Sequence, residues 1–170
     1  MAILIVATHA KEAIPEELDR EVGGSMKEVR VLIPADHFDL VEFRQENLPG
    51  IAVINSALSD FPGREAFGWH LSIVINFKNL IENGMPSQSD RDLVDSFGDE
   101  LEEQLKSPPE RPNALFLARV TWNRTRELLY RVYDPEIAHK FLKSIINAKS
   151  YPREFDYRME SDEDWSSAKW

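Results

Sequence analysis

The sequence predicts one α+β domain whose later elements run β-α-β-β-α-β, preceded by a strand-rich segment. Three patterns carry this expectation. Trp69, Leu71, Ile73, Ile75 and Phe77 alternate with His70, Ser72 and Asn76, the period of a half-buried strand. Two later segments repeat apolar residues every four positions, the period of an amphipathic helix. Between these helices, two β-rich runs flank the dipeptide Asn123-Arg124, the length of a tight hairpin turn.

In chain order, the alternating strand closes at Glu82-Asn83-Gly84-Met85-Pro86, after which Ser87 or Ser89 can cap a helix carrying Asp90 and Asp92 in its first turn. Leu93, Phe97, Leu101 and Leu105, with Val94 beside them, form its apolar stripe, and Pro108-Pro109 ends it. Ala114 to Trp122 and Thr125 to Tyr133 are the hairpin strands. Asp134-Pro135 starts the second helix as an N-cap carboxylate followed by proline in the first turn, and Ile137, Phe141 and Ile145 mark its buried side. A last strand alternates Phe155, Tyr157 and Met159 against Glu154, Asp156 and Arg158. This order is that of a ferredoxin-like sandwich, two helices on one face of a four-stranded antiparallel sheet.

Ahead of it, Ile3–Ala7, Glu28–Ile33, Phe38–Arg44 and Ile51–Asn55 read as strands, and Lys11 to Val22 as a helix closed by Gly23-Gly24. Residues 1–60 are too few for a second core, so they are expected to form a β-rich extension that lengthens the sheet or covers its free face. Residues 61–165 then form the ferredoxin-like domain, and 166–170 a loose acidic and aromatic tail, with Trp165 as an anchor.

Composition narrows the function classes. The 170 residues are 42% hydrophobic and 29% charged, as in a globular domain and unlike disordered, collagen-like or coiled-coil chains. With no cysteine, disulfides, thiolate metal sites, iron–sulfur clusters and cysteine nucleophiles are excluded. The formal charge of −10 argues against a general phosphate-backbone binder. The apolar run Ala2 to Ala7 is too short to cross a bilayer and follows no basic residue. The expectation is a cytoplasmic protein without a membrane partner.

Several short motifs resemble one family. Phe61-Pro62, Trp69, Asn83-Gly84-Met85-Pro86, Asp99 beside Glu100-Leu101, Val120-Thr121, Arg126-Glu127 with Tyr130, Asp134, and Asp162 with Trp165 follow one another in the order of bacterial domain-of-unknown-function family 695. The resemblance spans roughly Phe38 to Trp165. In place of a closing Asp-Pro-x-Trp, this chain has Asp162-Glu163-Asp164-Trp165. The resemblance implies a bacterial α+β protein and supplies no activity or catalytic residue. More distantly, by fold and acidity, the chain is similar to the family of regulator of ribonuclease E activity B, which implies action by binding a nuclease.

No catalytic motif stands out. His9, His37, His70 and His139 form no helical pair, and Asp36-His37-x-Asp39 is the nearest approach to a ligand cluster, so no metal and no cofactor is expected. Asp92, Asp95, Asp99, Glu102 and Glu103 read as a solvated helix face. There is no G-x-S-x-G elbow and no phosphate-cradling glycine loop. Against the third-strand consensus of the RNA-recognition motif, Arg126, Tyr130 and Tyr133 fit, while Glu127, Leu128 and Arg131 replace the glycine, an aromatic and the valine.

Charge is segregated along the chain. Residues 82–110 carry nine acids and two bases, residues 111–153 nine bases and three acids, and residues 154–170 six acids and two bases. Arg119, Arg124, Arg126 and Arg131 fall on or beside the hairpin, with Trp122 at its turn. The sequence therefore points to a non-catalytic protein-binding or regulatory module whose contact residues are Trp122, Arg124, Arg126 and Trp165. Its partner is another protein, with a second copy of the chain as one candidate. The competing readings are an enzyme with a site between the N-terminal extension and the sheet, single-stranded RNA binding through the sheet, and internal pairing of the hairpin arginines with acids.

Overall fold

A computed structural model describes residues 31–168. The strand expected over Ile3–Ala7 and the helix expected over Lys11 to Val22 lie outside the described residues. Six strands form one antiparallel sheet: β1 Phe38–Gln45, β2 Leu48–Asn55, β3 Trp69–Asn76, β4 Ala114–Trp122, β5 Thr125–Val132 and β6 Phe155–Ser161, in the order β1-β2-β4-β5-β3-β6. Helix α1 spans Gln88–Leu105 and α2 spans Pro135–Ala148. The sheet has six strands where a ferredoxin-like sandwich has four, because the N-terminal segment lengthens it, one of the two arrangements expected of that segment. The β1–β2 hairpin pairs onto the outer edge of β4, which would otherwise present unpaired backbone groups.

Both helices start as their residues dictate. Ser87 Oγ accepts from the Asp90 N–H at 3.3 Å, and Asp134 Oδ1 from the Glu136 N–H at 2.9 Å. Val94, Phe97, Leu101 and Leu105 of α1 and Ala138 and Leu142 of α2 pack in one core with Leu71, Ile73, Ile75, Phe116, Leu128 and Tyr130. The stripes are rotated from those expected: Leu93 and Ile137 are exposed, because Val94 and Ala138 take the centre of each buried face.

A second core lies on the other sheet face, where Leu58, Phe61, Phe67 and Trp165 pack on Leu115, Leu117 and Leu129. Alternation lets β4 serve both cores, Ala114 and Phe116 facing one and Leu115 and Leu117 the other, and its register shifts between Phe116 and Ala118. The extra residue, Leu117, turns Arg119 and Thr121 back toward the helix side. The strand expected over Glu28–Ile33 is not formed at 31–33, where Val31 instead buries its side chain in this second core. Residues 166–168 are a 3-10 turn bonded to Asp162 rather than a loose tail.

Two hairpin turns hold non-glycine residues at positive φ: Glu46 and Asn47 at 52° and 63°, Asn123 and Arg124 at 40° and 73°. Gly50 of β2 has another reason to lack a side chain, since a Cβ there would meet the Phe43 ring at 2.3 Å.

Candidate functional site

Of the four residues the sequence singles out, two are internal. Arg126 is 4% exposed and Trp165 is 5% exposed. The Arg126 side chain points to the helix side, where Nε donates to Thr121 Oγ1 at 2.8 Å and Nη1 donates to Asp95 Oδ1 on α1. Burial lowers the Arg126 pKa, and the Asp95 carboxylate opposes that shift. Trp165 closes the opposite face, its Nε1 donating to the carbonyls of Arg64 and Phe67 at 2.9 and 3.1 Å. The exposed arginine surface expected of the hairpin thus reduces to Arg124 at the turn and the partly exposed Arg119. Trp122 is half-buried and donates to the Gln45 carbonyl at 3.3 Å.

Internal pairing of the hairpin arginines, one of the competing readings of the sequence, is what Arg126 and Arg131 show, and a further buried pair joins Asp90 to Arg153. Arg131 is fully buried, bonds Asp162 Oδ2 through Nη1 at 2.6 Å and donates through Nε to the Phe67 carbonyl at 3.3 Å. Burial alone would raise the Asp162 pKa, but the Ser166 hydroxyl, Arg131 and the N–H groups of Ser167 and Ser166 hold its carboxyl well below the carboxylate range. Asp90, in the first turn of α1 as expected, is likewise buried. It accepts from the Lys78 N–H at 2.7 Å and from Arg153 Nε at 2.9 Å. Burial raises its pKa, and the Arg153 and backbone hydrogen bonds reverse that to a net lowering. The sequence allowed internal pairing of the hairpin arginines but carried no local mark that matched Arg131 to Asp162 or Arg153 to Asp90.

Tyr130 lies under the helices with no exposure, so it is unavailable as the base-stacking ring that an RNA-binding sheet needs. His37 and Asp39 approach at 3.9 Å on the surface. Among the described residues, no group of three or more His, Asp or Glu side chains is placed to hold a metal ion. Between segment 33–36 and the sheet end lies a cavity of about 370 Å³, apolar in its walls, where Lys106 pairs with Asp36 at 3.5 Å.

The surface that stands out is a strip of sheet that neither α1 nor α2 covers. Cross-strand rows identify its face: Leu40 opposes Val53, Val53 opposes Arg119, and Arg119 opposes Leu128 of the helix-side core. Glu42, Ile51, Thr121 and Arg126 form the next such row. These rows share the face that α1 and α2 cover, yet the helix-side core contains no residue of β1 or β2. Leu40 is 66% exposed and Ile81 is 53% exposed. Leu40, Ile51, Val53, Ile81 and Met85, bounded by Arg91 and Asp95 of α1 and by Arg119, surround a groove of about 450 Å³. A second depression of about 470 Å³ adjoins it, sharing Ile51 and Met85.

Electrostatics favour an anionic visitor. Asp95 Oδ1 bonds Arg126 directly, whereas Arg119 Nη1 stands 3.8 Å from the same oxygen, beyond hydrogen-bond range. Two guanidinium groups therefore share one carboxylate. Arg91 adds a further positive charge at the α1 wall.

No described helix is long and apolar enough to cross a membrane. Residues 28–167 match a family described as a family of unknown function (DUF695). No curated protein matches the chain. No solved structure matches it either.

Proposed function

The chain belongs to the DUF695 family of unknown function, and from its geometry we propose that it is a non-catalytic protein-binding module whose contact surface is the strip over β1 and β2. The observation that carries this is the apolar run Leu40, Ile51, Val53 and Ile81, left uncovered by either helix and bordered by the Arg119 guanidinium. An apolar centre with an arginine at its margin is the composition of a binding hot spot. Arg124, whose N–H donates to the Gly84 carbonyl at 3.0 Å beside that margin, is an outer contact in this reading. Arg126 shapes the groove floor without meeting the partner, and Trp122 and Trp165 support the fold around it.

The setting is a bacterial cytoplasm, and the part from β3 to β6 is read as a ferredoxin-like unit, supported by the neighbour order β4-β5-β3-β6. Regulation of a nuclease by binding is one form this role takes, supported by acidity and α+β order alone.

Leu40→Asp with Ile81→Asp tests the surface, since both side chains are exposed and the fold does not depend on them. Proteins captured from a lysate by the wild-type chain should bind the double variant at least about 30-fold more weakly, the scale of losing hot-spot contacts. Unchanged capture refutes the surface.

A further inference from the structure

Resting on that reading, we infer that the occupant of the strip is an amphipathic α-helix with an apolar stripe and carboxylates along one flank. Width is the first argument. Strands lie about 4.8 Å apart and a helix with its side chains is about 10–12 Å across, so two helices cover about four strands. Among the described residues the sheet has six strands and two helices pack on this face. The uncovered part, β1 with β2, is one helix wide, and α1 forms its wall. β1 is 8 residues long, a span of about 27 Å at 3.4 Å per residue. A helix of about 18 residues at 1.5 Å rise has that length.

Chemistry supplies the second argument. The floor contributes Leu40, Ile51 and Val53, which suit a stripe at i, i+3, i+4 and i+7. Among the described residues the Arg119 side chain donates no hydrogen bond, and it is 36% exposed. Its planar donors are matched to a carboxylate, which a helix can present beside its apolar stripe. Arg91, on α1 four residues before Asp95, places a second cation along the same wall. The groove lining is thus net positive within a chain of formal charge −10, so attraction for an acidic ligand is local to this surface.

A strand added to the free edge of β1 is the competing geometry. That edge carries Asp39, Glu42 and Arg44 within 8 residues, the charged pattern that discourages strand pairing. The strip itself carries its apolar residues on the face, where a helix docks, rather than along the edge.

The test uses the full chain and a synthetic 18-residue helical peptide with leucines at i, i+4, i+7 and i+11 and glutamates on one flank. A matching peptide carries lysines there instead. The glutamate peptide should bind at least about ten-fold more tightly than the lysine peptide, and Arg119→Glu should reverse that order. Isotope-edited NMR should show the bound peptide helical against Leu40 and Val53. Binding of neither peptide, equal binding of both, or an extended bound peptide overturns the inference. Sedimentation showing a dimer that Leu40→Asp dissociates, or crosslinks placing residues before 31 in the groove, also overturns it. If Leu40→Asp with Ile81→Asp still abolishes capture of a lysate partner while these peptides fail, the helix is refuted and the protein-binding surface stands.

Discussion

The guanidinium of Arg131 lies 4.6 Å over the ring of Trp165, joining the end of β5 to the last turn of the described chain. Asp162 completes this clasp by bonding Arg131 Nη1 at 2.6 Å and accepting from Ser166 Oγ at 2.6 Å. Asp162 and Trp165 thus act as a lock on the second core. Removing one partner of a buried pair leaves the other charge unpaired, at a cost of about 3–5 kcal/mol. Asp162→Asn should lower stability by that amount in a urea titration, and a loss under about 1 kcal/mol would deny the clasp its role. Trp165→Phe keeps most of the ring but removes the two hydrogen bonds to Arg64 and Phe67, so it should cost about 1–3 kcal/mol. Trp165→Ala should cost about 3–5 kcal/mol.

Acid should open the same clasp. The Asp162 pKa lies below its ordinary value of 3.8, so its contribution is fully present above that pH and is lost as pH falls through the folded-state value. His70, on the same face, is also lowered from 6.5, first by burial and then by Arg131. Its neutral form is favoured in the fold, so stability should begin to fall as pH drops below about 6.5. Urea midpoints measured from pH 8 to pH 2 should therefore decline in two windows, one below about 6.5 and one below about 3.8. His70→Leu should flatten the upper decline and Asp162→Asn the lower one, and a single decline unaffected by either variant would contradict this assignment.

Asp90 predicts a separate weakness at the start of α1. Its carboxylate accepts from Lys78 N–H, Asn79 N–H and Arg153, which approach from the β3–α1 loop and from the segment before β6. Asp90→Ala leaves those donors without their acceptor and should cost about 2–4 kcal/mol. The loss should centre on that corner, with amide exchange rising at Lys78 and Asn79 more than in β4. Uniform exchange would mean that the corner does not open by itself.

What the sequence made legible was local. Asn123-Arg124 and Asp134-Pro135 specify a turn and a helix start through their own neighbours, and both form where expected. What it hid depends on distant partners. Ile137 and Ala138 are equally plausible at the centre of α2's buried face until the sheet beneath fixes the rotation. Leu117 turns the face of β4 midway, which strict alternation cannot register. Arg131 and Asp162 are 31 positions apart and carry no local mark distinguishing them from surface charges. The strip was hidden for a related reason: Leu40 and Val53 satisfy the alternation of a covered strand, and only the placement of α1 and α2 shows that neither described helix covers them.

Arg124 offers a stability gain that also tests the surface. Asn123 and Arg124 occupy the two positive-φ positions of a two-residue hairpin turn, where Asn-Gly is the favoured pair. A side chain in the left-handed region costs about 1–2 kcal/mol, while glycine adds about 0.5–1 kcal/mol of unfolded-state entropy. Arg124→Gly should therefore stabilise the chain by about 0.5–1 kcal/mol, seen as a raised urea midpoint at unchanged slope. The Arg124 N–H bond to the Gly84 carbonyl survives the change, so the strip keeps its border. With the fold preserved, a weaker lysate partner would establish the Arg124 side chain as an outer contact. Unaltered binding would confine recognition to Leu40, Ile81 and Arg119, and a lowered midpoint would show that the arginine side chain supports the turn it occupies.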